Sequence, residues 1–240
     1  MHQERTYRRR LLSPELKPFR AAVLETDLHI QAEKVLEAEA VASIITHRRT
    51  VEAYIESRPA FLTSLAPLSM EPLLPEIIRE MMAAAQASGV GPMAAVAGAI
   101  AERVFWDLAP LSDQLIIENG GDIFLKMSHP VTIGIFAGES PLSMKIGLLI
   151  NRPGAPFSIC TSSGTVGHSL SFGKADAVCV TADKGALADA AATAIGNRVQ
   201  TEKEIETALS FGKGISGVTG IAIVLNRAAG FWGNLELVRL

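Results

Sequence analysis

The stretch KGALADAAATAIGN, residues 184–197, is mostly alanine but carries one acid, Asp189, and one hydroxyl, Thr193. Its composition predicts a helix. In a helix, positions i and i+4 stack on one face, so the two oxygens can point at one spot. The residues three and four away from Asp189 are Gly185, Ala186, Ala192 and Thr193, none of which can neutralise it. The small side chains also let another stretch of backbone approach closely. Mg²⁺ accepts one or two carboxylates, keeps waters and borrows phosphate oxygens. Asp189 and Thr193 are therefore the candidate metal ligands. The same spacing also describes a surface aspartate on a solvated face, with the threonine bonding back to its own helix. Spacing alone leaves both open.

The rest of the composition narrows the setting. The chain has 240 residues, 48% of them hydrophobic, enough for a large core, and it is read as one domain over 1–240. A net charge of −3 gives no footprint for nucleic acid. The run Arg8, Arg9, Arg10 reads as a solvated strand end or arm. Cys160 and Cys179 form no CxxC pair and sit in apolar runs, so they read as small buried hydrophobes in a reducing compartment. No His/Cys cluster has zinc spacing. Mean hydropathy is positive, at +0.27. Yet the best apolar run, MAAVAGAIA (93–101), stops at Glu102, short of the ~20 residues a membrane span needs. With no leader or lipid-anchor signal read at the start, the expectation is a cytoplasmic protein with no membrane partner.

Along the chain, RTYRRRLL (5–12) and FRAAVLETDLHIQA (19–32) read as strands, and 34–57 as a helix followed by Pro59. Residues 58–73 are a proline-containing loop. PEIIREMMAAAQASG (75–89) is a helix with Pro at its start and Gly89 past its end. Residues 90–109 read as one further, largely buried helix. QLIIE, DIFLKMS, TIGIFAG, KIGLLIN and FSICTSSG then read as strands of one sheet. DAVCVTAD is another strand, followed by the alanine helix and a helix over 201–213. The last stretch, VTGIAIVLNRAAGFWGNLELVRL, reads as a closing hairpin. The order predicts an α+β fold with largely antiparallel pairing. No sequence repeat is visible, which leaves a structural duplication open.

Three loops can carry chemistry. TSSGTVGHS (161–169) offers Ser162, Ser163, Gly164 and Thr165, whose backbone N–H groups can be aimed at phosphate. It lacks the GK[ST] of a P-loop and the Gly-x-Ser-x-Gly of a hydrolase elbow. His168 in it is either a base or phosphate contact, or a hydrogen-bonded loop histidine. ENGGDIFLK (118–126) places Gly120 and Gly121 in an Asn-Gly hairpin turn and Asp122 at the start of the outgoing strand. Gly91, before Pro92, precedes a helix start that can receive an anion, and the same residues also describe ordinary helix-start chemistry. In ETDLHI (25–30), Asp27 reads as an edge residue.

Taken in order, ENGGDI, TSSGTVGH and ADAAATA (188–194) resemble the ApbE-like superfamily, the FAD:protein FMN transferases. With ETDLHI and VGPMAAVAGAIAE added, nearly the whole chain resembles an uncharacterised ApbE-like branch of bacteria and archaea. The likeness to the transferases themselves runs from about Gly91 onward. The resemblance implies a tunnelling-fold-like arrangement of mixed and antiparallel sheets packed against helices. It implies FAD or FMN and Mg²⁺, with the metal held by Asp189 and Thr193. Gly120, Gly121 and Asp122 are implied to lie by the flavin nucleotide, with Ser163 and Gly164 nearby. Such enzymes move FMN onto a threonine or serine of an acceptor protein, and the fold type implies a homo-oligomer.

The departures are specific. In the transferases the Ser-Gly loop is followed by His-Ile, Asp-Pro and Thr-Gly, whereas here only TVGHSLSFGKAD separates it from the next strand. His168 occupies the corresponding place, and Asp122 or His168 is the candidate general base. Two functions stay open on the sequence. One is a magnesium-dependent enzyme that transfers FMN or cleaves the FAD pyrophosphate. The other is a non-catalytic protein that binds a flavin or another small molecule.

Overall fold

The computed structural model describes residues 13–165 and 171–240. The basic stretch 5–12 and His168 lie outside them. Two strands, β1 (Lys17–Val23) and β2 (Thr26–Ala32), open the described chain as a hairpin. Four helices follow: α1 (Glu37–Ser57), the short α2 (Ala60–Thr63) inside the proline loop, α3 (Glu76–Ser88) and α4 (Val96–Leu108). A second hairpin, β3 (Leu115–Asn119) and β4 (Asp122–Lys126), ends this half. The pattern then repeats. β7 (Phe157–Ser162) and β8 (Ala177–Ala182) lead to α5 (Gly185–Gly196) and α6 (Ile205–Lys213), and then to β9 (Val218–Leu225) and β10 (Ala228–Gly233). The two halves lie side by side in one eight-stranded sheet, β1-β2-β3-β4-β7-β8-β9-β10, with all its pairings antiparallel. The duplication is one of topology.

The apolar runs after residue 114 do not all join that sheet. β5 (Val131–Gly134) and β6 (Ile146–Ile150) form a separate three-stranded sheet with β11 (Glu236–Arg239). The closing hairpin β9–β10 therefore carries an extra strand that leaves for the second sheet. The reason is visible in the side-chain period. Successive residues of a strand face opposite sides. Leu115 and Ile117 pack towards the helices, while Ile116 packs with Ile133, Leu148 and Ile150 of the small sheet. In β8, Val178 and Val180 face the helices and Ala177 and Cys179 the other way. The middle of the large sheet is thus covered on both faces, and its strands read as unbroken apolar runs. Among the described residues no single helix is long and apolar enough to cross a membrane.

Helix ends follow local chemistry. Pro75 precedes α3, and Gly89 ends it in the left-handed region at φ 73°. The single helix predicted over 90–109 is broken. Pro92–Ala95 forms a 3₁₀ turn, and Ala95 departs from helical geometry (φ −112°, ψ 0°) before α4 begins. The break leaves the first N–H groups of α4 without partners in their own helix.

Those groups meet α5. Gly98 of α4 and Gly185 of α5 touch backbone to backbone. A Cβ built on either would sit 2.3 Å from the carbonyl oxygen of the other. Each glycine is followed four residues later by an acid, Glu102 or Asp189. Glu102 Oε2 accepts the Gly185 N–H at 2.7 Å, and Asp189 Oδ2 accepts the Gly98 N–H at 2.9 Å. Each helix therefore caps the start of the other. We expect Gly98→Ala and Gly185→Ala each to lower the unfolding free energy in urea by roughly 3 kcal/mol, the upper range for forced overpacking. Gly154→Ala, at φ +75° with open space around it, is expected to cost about 1 kcal/mol through backbone strain alone. Equal losses at all three positions would contradict a tight crossing.

Candidate functional site

The site grows out of the β3–β4 turn. Gly120 and Gly121 have φ values of 69° and 109°. Positive φ at both central positions belongs to the two-residue hairpin turns whose twist matches the strands. Asn119 and Asp122 pair across this turn. Asp122 lies two residues before Phe124, so it shares the helix-facing side of β4. Thr161 of β7 donates its N–H to Asp122 Oδ1 at 3.2 Å. Asn119 donates to the Ala97 carbonyl at 3.0 Å, which ties the turn to the start of α4. Glu118 accepts the Gly121 N–H at 2.8 Å, fixing the turn from the strand before it.

α5 lies over this corner and brings Asp189 to it. Asp122 is buried, and Asp189 is half-buried with protein crowded around its carboxyl. Burial pushes the Asp122 carboxyl well above its ordinary range, and the neighbouring charge of Asp189 adds to the effect; the hydrogen bonds from Cys160 and Thr161 pull the other way. Burial likewise raises Asp189, to about 7, against the opposing pull of the Gly98 and Ala97 N–H groups. The Cys160 thiol is fully buried between Asp122 and the Gly185 carbonyl, with its Sγ 3.6 Å from that oxygen. Burial first, and then the two carboxylates, raise the thiol well above its usual value. Buried and raised in this way, the thiol holds its proton.

Thr193 stands one turn beyond Asp189 on α5, half-buried. Asp189 and Thr193 offer only oxygen donors, the type a hard cation takes. Among the described residues no group of three His, Cys, Asp or Glu side chains is gathered to hold a metal. Magnesium takes one or two carboxylates and fills its remaining positions with water and phosphate.

The other candidate residues fall into two groups. Ser162 ends β7 on the same face as Cys160, against Gly196 at the end of α5. Beyond it the loop is tied to its own return. Gly164 donates its N–H to the Ala175 carbonyl at 2.9 Å, and Thr165 donates its N–H to Ser163 Oγ at 3.1 Å. The Thr165 hydroxyl donates to Asp176 at 3.3 Å. The phosphate cradle read from this loop therefore lacks those two N–H groups as donors in this conformation. Gly164 is needed for packing, since a Cβ there would lie 2.1 Å from the Gly173 carbonyl oxygen. Gly91 is also a packing residue, its Cβ position lying 1.7 Å from the Ser64 carbonyl oxygen. It precedes a 3₁₀ turn and not the α4 N-terminus; Asp189 takes the α4 N–H groups instead. Asp27, read as an edge residue, is buried on β2, an interior strand between β1 and β3, where it pairs with Arg20 at 2.7 Å.

Sequence reasoning missed Gly98, Glu102, Asn119 and the placement of Cys160. One signal was available for the first two: Gly98-x₃-Glu102 repeats the spacing of Gly185-x₃-Asp189. Glu102, read as the residue that ends an apolar run, is wholly buried. Its Oε1 receives the Lys184 ammonium at 3.0 Å and the Trp106 indole N–H at 3.3 Å.

Comparison with known proteins bears on the whole chain. Residues 9–228 match the family model described as "AbpE bacteria". A UPF0280 protein of Methanocaldococcus jannaschii is 41% identical over 227 residues, covering 92% of each chain. A UPF0280 protein of Methanococcus aeolicus is 39% identical over 221 residues, covering 89% of each. Among solved structures, the flavinyl transferase ApbE of Pseudomonas stutzeri, in its apo form, matches with TM-score 0.59 at 13% identity, covering 90% of this chain and 94% of its own. The ApbE protein of Thermotoga maritima matches with TM-score 0.55 at 13% identity, covering 90% and 96%. The structural likeness extends the α+β, antiparallel architecture to those proteins, and the sequence match decides kinship: the chain belongs to the bacterial AbpE family, an ApbE-like family shared with the archaeal UPF0280 proteins.

Proposed function

We propose that the protein is a magnesium-dependent, flavin-nucleotide-handling enzyme on a tunnelling-type fold, taking FAD as substrate and transferring or releasing its FMN half. One observation carries this reading. Asp122 and Asp189 are neighbouring carboxyls with raised proton affinity, and the described residues give neither an ionic partner. Across the helix crossing, the corresponding Glu102 has the Lys184 ammonium at 3.0 Å. The side that lacks an ammonium is the side suited to an external cation. The flavin substrate rests on kinship and on the fold shared with a flavinyl transferase.

In this reading Asp189 and Thr193 hold the cation, and Gly98 orients the Asp189 carboxylate through its N–H. A bound magnesium ion would supply charge neutralisation at the pyrophosphate. An incoming hydroxyl, from an acceptor serine or threonine or from water, forms the new O–P bond to the FMN phosphorus. The bond to the AMP phosphate breaks, and AMP leaves with that electron pair. Asp122, whose proton affinity is raised, takes the hydroxyl proton. The close Thr161 N–H keeps the carboxyl aimed during the step.

Two outcomes test this reading. Purified protein is expected to gain thermal stability with FAD and Mg²⁺ together, and to release AMP and FMN. Asp189→Ala should abolish the release. FAD binding without release, with or without metal, would instead establish a non-catalytic binder, and no affinity for FAD would end both accounts.

The second prediction concerns pH. A carboxyl raised in the folded state binds more protons folded than unfolded between about 4 and 7, so its contribution to stability falls as pH rises through that window and levels off above it. Asn at 189 keeps an oxygen for the Gly98 N–H but removes this cost. The Tm of Asp189→Asn minus that of the wild type should therefore increase from pH 4 to pH 8 without divalent cations. Magnesium should stabilise the wild type more at pH 8 than at pH 5, because the ionised carboxylate is the ligand. A pH-independent difference would contradict the buried-carboxylate account.

A further inference from the structure

The charge cluster on the far side of the helix crossing has no part in the chemistry described above, yet its geometry bears on the site. Glu102 is wholly buried and accepts three donors from two helices: the Gly185 N–H, the Lys184 ammonium and the Trp106 indole. Gly185 is the first residue of α5, and Asp189 is one turn further along the same helix. Lys184 also approaches Glu80 of α3 at 3.5 Å, and Arg103 of α4 holds Glu80 at 2.6 Å and Glu76 at 2.7 Å. Three helices are pinned together at the start of α5.

We propose that Glu102 is a positioning residue for the Asp122–Asp189 site, with Lys184 as its counter-ion. By gripping the first N–H of α5, Glu102 fixes how far that helix slides along α4 and how it is turned. A helix rotates 100° per residue, so a slip of one residue would carry Asp189 away from both Gly98 and Asp122. The glycine contact sets the distance between the helices, and smooth glycine surfaces alone do not set the register. The two carboxylates divide the work: Glu102 places the helix, and Asp189 meets the ligand. The inference rests on the reading of Asp189 as a cation ligand for its functional consequence, but its structural half is independent of that reading.

The test uses the full-length protein with Mn²⁺ as the probe, titrated by electron paramagnetic resonance. Amide exchange at Gly98 provides a second readout of where Asp189 sits. Glu102→Leu, which removes the acceptor of the Gly185 N–H, and Lys184→Met, which leaves Glu102 without its counter-ion, are each expected to weaken Mn²⁺ binding by about 10- to 100-fold, the size typical for loss of a group that orients a metal ligand, and to speed exchange at Gly98 relative to amides of β9. The double variant Glu102→Gln with Lys184→Met replaces the charged pair with a neutral amide that still accepts from Gly185. It should recover most of the lost affinity and protection, which general destabilisation would not allow. Folded single variants with wild-type Mn²⁺ affinity and an unchanged Gly98 amide would overturn the proposal. Failure of the wild type to take up Mn²⁺ would end the cation reading, and exchange at Gly98 would still decide the positioning role.

Discussion

Everything at this site depends on two helix backbones in direct contact. Gly98 and Gly185 allow a separation that no side chain permits, and each helix start is then close enough to be capped by an acid from the other. Buried N–H groups at a helix start must find acceptors, and a carboxylate there is favoured by the helix dipole. The crossing therefore satisfies backbone groups and holds two acids inside the protein in one stroke. It also joins the halves of a duplicated topology, since α4 belongs to the first and α5 to the second.

The crossing is symmetric in geometry and asymmetric in charge. Glu102 is neutralised by Lys184, while Asp189 faces a second acid, Asp122, presented by a glycine turn from the sheet. A buried carboxylate without a counter-ion is costly, and its protonation is the usual relief. Here burial raises the Asp189 carboxyl to about 7. The duplicated scaffold has thus given the acid on one side of the crossing an ammonium partner and set the acid on the other side beside a second carboxyl.

Much of this was legible in the sequence, for reasons that can be named. The alanine helix announced a close approach because its side chains are small, and Asp189 stood out because nothing nearby in the helix could neutralise it. The Asn-Gly-Gly turn was readable because positive φ at two successive positions restricts the residues that fit. The division into two sheets was not readable, because the large sheet's central strands are buried on both faces and so lack the alternation that would set them apart from β5 and β6. The break at Ala95 escaped notice because the run from 93 to 101 is uniformly helix-compatible, and only tertiary contact with Asp189 rewards an early exposed N–H. Glu102 was misread as the polar end of an apolar run, since a single charge gives no sign that its partner, Lys184, lies 82 residues away. Of the N–H groups read as a phosphate cradle in the Ser-Gly loop, those of 164 and 165 are taken up by Ala175 and Ser163, and residues 166 and 167 lie outside the described residues.

The central claim is that the corner between Asp189 and Asp122 is a seat for a divalent cation. Anomalous diffraction from crystals grown with Mn²⁺ at pH 8 tests it most directly. The account predicts a peak about 2.1–2.3 Å from a carboxylate oxygen of Asp189, on its Asp122-facing side and within reach of Thr193. A protein fully occupied by Mn²⁺ elsewhere, with this corner empty and both carboxyls hydrogen-bonded to each other, would contradict it.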